Sequence, residues 1–369
     1  MKVRPDTEKF SENVLICAYR QLNVVGRNDL RNRNERINVG VVGLGAVSRF
    51  QLSALKNFPE LKVVAACDID PSKRLREDVP FFTSVEEMLA SNDEIDVVLL
   101  SVPTPLHYKV GKAVLKGGKD LLVEKPAAEN IEQFNELREM ADRKKMLFES
   151  AFHFRYSEDV VWFRSHADEI FNKYGNIDAF YSSFNDPYFM EGHLYPGAVS
   201  LSGSWLDSGI NALSAIGDLL TDIRPEERSR TDFEGIDIHS TAFFSFNNKK
   251  DTRGYGVINT NWNNGSKAKS TNFYLSDRAT KIELNHTEHS VKLHRNGNSE
   301  VLFASGGGVD RVTQHYVHVF REFLKDYRQR TSNIYFSNTI HSLLFGITSD
   351  SSNNFNVNGG ASWNQDLRQ

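Results

Sequence analysis

The amino-acid sequence predicts an α/β protein in two domains: a parallel sheet covered by helices on both faces, then a second α/β domain built on an antiparallel sheet. Three observations carry this. The chain has 369 residues, beyond the roughly 250–300 at which a single core stops growing. Between residues 37 and 150, short uninterrupted apolar runs alternate with helical stretches, as strands buried on both faces of a parallel sheet do. After about Ser150 the strand candidates lengthen and alternate polar with apolar residues, the pattern of an antiparallel sheet with one face on a core.

Taken in order, residues 1–36 are rich in Arg and Asn and read as an N-terminal extension without chemistry; Asp6, Glu8, Glu12, Asp29 and Glu35 argue against a transit peptide. Ile37–Val42 is the first apolar run and breaks into Gly43-Leu44-Gly45. A helix follows, because Phe50, Leu52, Leu55 and Phe58 recur at helical intervals. Leu61–Cys67 is the second run, ending at Asp68, with a helix start at Pro71-Ser72. Val97–Val102 is the third, broken by Pro103, and Leu121–Val123 the fourth, ending at Glu124-Lys125-Pro126. These fill a first domain over 37–150. The second, 151–349, holds strands at 177–184, 241–246, 255–262, 270–275, 279–284, 289–295 and 299–304, and helices at 158–173, 206–220, 309–329 and 336–349. Residues 350–369 read as a polar tail.

Composition narrows the function classes. The chain is 40% hydrophobic and 25% charged, which is ordinary for a globular protein. Lys plus Arg number 44 against 48 Asp plus Glu, for a net charge of −4, so no basic excess exists to hold nucleic acid or an anionic membrane. Two cysteines, Cys17 and Cys67, are too few for a disulfide framework or a cysteine zinc site and suit a reducing, cytoplasmic compartment. Val14–Ala18 is only five residues, and no apolar run approaches the roughly 20 needed to cross a bilayer.

Gly43-Leu44-Gly45-Ala46-Val47-Ser48 follows a strand and opens a helix. The first glycine permits a tight turn, and the second lets a pyrophosphate approach the helix N-terminal N–H groups and dipole. Ser48 stands at the third, small position. Asp68 ends the second strand 25 residues after Gly43, where an acid binds the adenosine ribose hydroxyls; the bland alternative is a cap on the next turn. A carboxylate there repels a 2′-phosphate and favours NAD, although Arg74 keeps NADP open. Ser101-Val102-Pro103-Thr104-Pro105-Leu106-His107 and Glu124-Lys125-Pro126 follow later strands, so Ser101, Pro103, Thr104, Glu124 and Lys125 edge the same crevice. His107 serves either the cofactor or helix packing, and a lysine at a strand end is open to a desolvated pKa.

With these residues in place, the sequence resembles the Gfo/Idh/MocA oxidoreductases over about 37–349, chiefly through Gly43-x-Gly45, Asp68, Pro103-Thr104-x-x-His107 and Glu124-Lys125-Pro126. The resemblance implies a Rossmann NAD(P)-binding domain and a second α/β domain with a large open, mainly antiparallel sheet, and homodimers or homotetramers through that sheet. The family segment Asp-x-Gly-x-His-x-x-Asp is similar to Asp207-Ser208-Gly209-Ile210-Asn211-Ala212-Leu213-Ser214, with Asn211 in place of a catalytic histidine and Ser214 in place of the last acid. Asp207 and Asn211, four apart, are expected on one helical face. An asparagine amide only exchanges hydrogen bonds, so proton removal passes to Lys125, to Asp207 or to a relay between them, with Asn211 orienting the substrate hydroxyl.

Within the family, the Asp-x-Gly-Ile-Asn-Ala-Leu-Ser form resembles bacterial L-arabinose/D-galactose 1-dehydrogenases, which oxidise an anomeric hydroxyl to a lactone. His153 matches a sugar-contacting histidine of those enzymes, and Asn185 falls where they carry a sugar-binding glutamate. Arg155, Glu191 and His193 are further candidate polar contacts, and Trp205 and Trp262 are read either as ring walls or as core. The alternatives are an inositol- or polyol-type dehydrogenase acting at another ring carbon, and a non-catalytic NAD(P)-binding regulator. No metal is expected: His286 and His289, three apart in a strand region, should face opposite sides, and His315 with His318 lacks an adjacent carboxylate.

Overall fold

The structure is a computed structural model that describes residues 36–248, 252–307, 310–331 and 334–347. The expected extension, apart from Arg36, and the expected tail lie outside the described residues, as does Cys17. The first domain runs β1 (Ile37–Val42), α1 (Ser48–Leu55), β2 (Leu61–Cys67), β3 (Phe81–Phe82), α2 (Val85–Ser91), β4 (Val97–Leu100), α3 (His107–Lys116), β5 (Asp120–Glu124), α4 (Ile131–Lys144) and β6 (Phe148–Ala151). Its six strands are all parallel in the order β3-β2-β1-β4-β5-β6. The order reverses between β1 and β4, which opens a crevice at their carboxyl ends, where ligands of such sheets bind.

The apolar strands are explained by burial on both faces. Val39, Val41, Leu99 and Leu122 pack one way, while Val98, Leu100, Leu121 and Val123 pack the other way against Val114, Phe134 and Leu137. The first of these layers is completed from the far end of the chain. Tyr316, Phe320, Phe323 and Leu324 of a late helix join it, and the Phe58 and Phe320 rings meet edge to face at 6.1 Å. That helix was assigned from sequence to the second domain, but its apolar face lies on the first sheet.

The second domain runs α5 (Glu158–Tyr174), β7 (Ile177–Asn185), β8 (Phe189–Met190), β9 (His193–Leu194), a π turn (Trp205–Gly209), α6 (Ile210–Ile216), β10 (Thr221–Phe233), β11 (Ile236–Asn247), β12 (Arg253–Asn261), β13 (Ala268–Leu275), β14 (Thr280–Asn285), β15 (Ser290–Arg295), β16 (Asn298–Ala304), α7 (Arg311–Gln329) and α8 (Ile334–Phe345). Eight strands form an open sheet in the order β10-β11-β12-β7-β13-β14-β15-β16, antiparallel throughout except for the parallel pair β12–β7. One face buries Phe180, Phe184, Phe244, Phe246 and Phe273 against Phe163 of α5 and Leu213 of α6, each such side chain contributing roughly 1.5–3 kcal/mol. The other face exposes Tyr181, Phe243, Tyr255 and Tyr274. The expected strands are present; β10 was not foreseen, because its sequence is polar and contains Pro225, which an edge strand tolerates. The helix expected over 206–220 is instead the π turn followed by the seven residues of α6.

Candidate active site

The glycine loop is shaped by close backbone approach. Gly43 has φ +88°, and a Cβ there would lie 2.6 Å from the Ser101 carbonyl carbon, so only glycine fits. Its N–H donates to the Cys67 carbonyl at 2.9 Å, and Ser101 Oγ donates to the Gly43 carbonyl at 3.0 Å. At Gly45 a Cβ would meet nothing within 4 Å. Gly45, Ala46 and Val47 are exposed at the head of α1. Ser48 is buried and donates from Oγ to the Gly45 carbonyl at 2.8 Å, closing the turn. The arrangement leaves open backbone where a pyrophosphate needs it, so these residues fit a dinucleotide.

Asp68 is largely committed to holding this loop. Its Oδ2 accepts from the Leu44 N–H at 2.7 Å and lies 3.5 Å from Lys73 Nζ, while Oδ1 accepts from the Asp70 N–H at 2.9 Å. A carboxylate has about four acceptor positions, so capacity remains for a ribose hydroxyl. Arg74 sits over the Phe81 ring at 5.5 Å.

The neighbouring strand ends are braced in turn. Pro103 is exposed and Thr104 buried at the end of β4. His107 is 1% exposed, with Nδ1 at 2.6 Å from the Pro126 carbonyl and Nε2 at 2.8 Å from the Val102 carbonyl. Both ring nitrogens are thus occupied by the protein, which joins the two loops, and no ring nitrogen is left for a ligand. Burial and the nearby Lys125 hold the imidazole below its usual pKa, against the pull of the two carbonyls. Glu124 Oε1 accepts from Gln51 Nε2 at 2.8 Å and from the Tyr316 hydroxyl at 2.5 Å, and burial raises its carboxyl above the usual range.

Beside it, Lys125 reaches across to the second domain. Its Nζ donates to Asp207 Oδ1 at 2.7 Å and to the Asp207 carbonyl at 3.0 Å, with side chains only 9% and 12% exposed. Burial works to raise the Asp207 carboxyl, but Lys125 and Lys269 overcome it and hold the pKa below the usual value. Asp207 lies in the π turn, a distortion frequent at functional sites, so its spacing to Asn211 is not the α-helical one expected. Gly209 permits the turn to close: its Cβ would fall 2.5 Å from Trp205 Cε3. Asn211 is 5% exposed, and its Oδ1 is buried with no hydrogen-bond partner.

The sugar-contact candidates divide. His153 Nδ1 lies 3.3 Å from His315 Nδ1, with its ring stacked on Tyr316. Burial first, then His315, Lys125, Lys269 and Arg311, hold His153 well below its usual pKa, so it is neutral and faces the site's cations. Asn185 ends β7 half-buried. Arg155 is committed to Asp218 through bonds of 2.7 and 2.9 Å and stacks on Phe336. Glu191 and His193 are exposed at the β8–β9 hairpin. Trp205 and Trp262 are 2% and 0% exposed and belong to the core, so neither is a wall for a ligand ring. His286 and His289 do not face apart: both approach Asp159, His286 Nδ1 in a close hydrogen bond and His289 Nδ1 at 3.7 Å. His289 sits in a turn at φ +53°, which redirects it. Among the described residues no group of three or more His, Cys, Asp or Glu is placed to hold a metal, and no helix is long and apolar enough to cross a membrane.

Sequence reasoning missed a second lysine–carboxylate pair. Asp186, 1% exposed, accepts from Lys269 Nζ at 2.7 Å and from Ser208 Oγ at 3.1 Å, with Lys267 Nζ 3.9 Å away. Tyr188 belongs here too: burial, then Asp207 and Asp186, raise its hydroxyl pKa. The one available signal was the Asp186-Pro187 break at the end of β7.

A parallel sheet with a glycine loop, a crevice and a lysine–carboxylate pair at its mouth defines a nucleotide-dependent redox class of protein. Residues 37–152 match the GFO_IDH_MocA model, described as oxidoreductase family, NAD-binding Rossmann fold. The nucleotide domain is therefore the NAD-binding domain of a Gfo/Idh/MocA-type oxidoreductase. The uncharacterized oxidoreductase YdgJ of Escherichia coli K12 is 30% identical over 127 residues, 33% of this chain and 36% of that protein. The NADP+-dependent scyllo-inositol 2-dehydrogenase IolW of Bacillus subtilis 168 is 23% identical over 133 residues, 36% of this chain and 37% of that protein. These matches span about a third of each relative's length. KijD10, a 3-ketoreductase from Actinomadura kijaniata solved with NADP, shares the fold over 85% of this chain and 97% of its own, with a TM-score of 0.70 at 20% identity.

Proposed function

We propose that the protein is an NAD(P)-dependent sugar dehydrogenase that oxidises the C1 hydroxyl of an aldopyranose to a lactone. The observation that carries the reading is the Lys125–Asp207 pair, 2.7 Å apart at the carboxyl end of β5 and buried where the two domains meet. Gly43, Gly45, Ala46 and Val47 would hold the pyrophosphate, Asp68 the adenosine ribose, and Ser101, Pro103, Thr104, Glu124 and Lys125 the nicotinamide half, with His107 keeping two of these loops in register. Asp68 favours NAD over NADP. When bound, the cofactor supplies the hydride acceptor.

The chain's own residues handle the proton. Neutral Lys125 takes the O1–H proton as the C1–H hydride leaves, and Asp207 stabilises the ammonium that results. The resting ion pair must first release a proton, so oxidation gains with rising pH, while in reduction the Lys125 ammonium protonates the carbonyl oxygen. The unpartnered Asn211 Oδ1 accepts a substrate hydroxyl, and an unmade buried bond of this kind costs roughly 1–3 kcal/mol. His153 and Asn185 contact further hydroxyls. The exposed aromatic face of the eight-stranded sheet pairs with a second copy, giving a homodimer or homotetramer.

The test is a panel of aldoses and polyols with NAD or NADP, followed by reduced-nicotinamide absorbance and product analysis. Lactone as product supports C1 oxidation and a keto-sugar overturns it. Cofactor binding without turnover of any sugar or polyol overturns the dehydrogenase reading.

A further inference from the structure

The charges around the Lys125–Asp207 pair do not balance. Lys125 is matched by Asp207 at 2.7 Å and Lys269 by Asp186 at 2.7 Å, while Asp159 is occupied by His286 and Ser157. Two cations are left over. Lys267 Nζ is 3.9 Å from Asp186 Oδ1, and Asp186 has a single charge for two lysines. Arg311, the first residue of α7, donates to His289 Nε2 at 3.1 Å and to the His286 carbonyl at 3.4 Å, and among the described residues it bonds to no carboxylate. The His286 N–H in turn donates to the Lys269 carbonyl at 2.9 Å, which ties Arg311 to the lysine strand.

We propose that the substrate is a polyhydroxylated compound carrying an anionic group, seated against Lys267, Lys269 and Arg311 while its reacting hydroxyl lies at Lys125. The proposal rests on the dehydrogenase reading above and names the substrate class for that site. Its physical basis is local: the whole chain carries a net charge of −4, so a positive cleft is built against the overall balance and focuses its field on an entering anion. Neighbouring groups feel the excess. Burial and then Lys269 hold Lys267 below its usual pKa, and burial and then Arg311 hold His315 down at about 3. An anion would relieve both. Asp186 Oδ1, buried without a hydrogen-bond partner, is left to accept a hydroxyl of the same ligand, which an anion alone would not supply.

The full chain with saturating NAD is assayed on a neutral hexose and three charged counterparts: the hexuronate, the hexose 6-phosphate and a nucleoside-diphosphate hexose. These distinguish a carboxylate, a phosphate monoester and a diphosphate as the source of the charge. One charged compound should exceed the neutral parent by about tenfold or more in kcat/KM, as the loss or gain of a charge-assisted contact implies. Lys267→Gln, at a half-exposed position the fold tolerates, should narrow that ratio about tenfold. Equal use of neutral and charged sugars, or a ratio unchanged in Lys267→Gln, overturns the anionic substrate and leaves the dehydrogenase reading standing. If nothing is turned over, that reading fails first, and calorimetry decides the rest: hexuronate binding to the NAD complex with no hexose binding keeps the anion site, whereas equal or absent binding removes it.

Discussion

Ser208 Oγ donates to Asp186 Oδ2 at 3.1 Å, and through that bond the two lysine–carboxylate pairs of the cleft are joined. Asp207 precedes Ser208 in the π turn and holds Lys125; Asp186 holds Lys269. Each partner comes from a different element, so the cleft is assembled only when β5, β7, β13 and the π turn are all in place. Ser208→Ala should therefore shift substrate KM more than kcat, by about fivefold, since a buried hydrogen bond contributes roughly 1 kcal/mol. A kinetic comparison at saturating NAD reads the split.

Asp207→Asn keeps the shape and removes the charge. The folded carboxyl is held below its usual pKa, so its contribution to stability is present above the unfolded value of about 3.9 and is lost as pH falls below it. Acid unfolding of the wild type should steepen below about pH 4 relative to Asp207→Asn, and the variant's kcat should fall about 100-fold, as for loss of a proton-handling group. Coincident acid-unfolding curves would remove the ion pair from the account.

His315 gives the opposite test of sign for a base. Buried beside Arg311, it is held at about pKa 3, against about 6.5 when unfolded. The unfolded chain takes up the proton first, so the stability His315 contributes is complete above pH 6.5 and is lost progressively toward pH 3. Between pH 7 and 5 the wild type should lose on the order of 2 kcal/mol more than His315→Gln. Denaturant titrations at the two pH values measure the difference.

Gly43→Ala should destabilise the fold by about 1–3 kcal/mol, from the strained positive φ and the contact with Ser101. It should weaken NAD binding as well. Gly45→Ala, where the added methyl meets no protein atom, should weaken NAD binding with little effect on the urea midpoint.

The open sheet face makes a separate prediction. Tyr255 is 59% exposed and Phe243 44% on adjacent strands, and Tyr181 and Tyr274 extend the patch across β7 and β13. Light scattering should give a dimer or tetramer at micromolar concentration, and Tyr255→Glu together with Phe243→Glu should give monomers. A wild-type monomer would contradict the association.

How much of this the sequence discloses depends on range. The β1–Gly43–α1 turn is legible because all its determinants lie within about ten residues of chain. The Lys125–Asp207 pair spans 82 residues, which no local period reports; only the family resemblance brought the two together. Asp186, Lys267 and Lys269 were overlooked because a lysine on an alternating strand reads as solvent-facing, and the crossing of β7 with β13 is what buries Lys269. His286 and His289 were separated by strand logic that fails once the chain turns at positive φ. The polar β10 carried no apolar alternation to read, since one of its edges is free.

The central claim is that the Lys125–Asp207 pair moves the substrate proton, and turnover by Lys125→Ala tests it most directly. At saturating NAD and substrate, kcat should drop by about 10³, within the range for loss of a general acid–base, while the NAD dissociation constant changes by less than about threefold. Near wild-type kcat with NAD still bound would contradict the account.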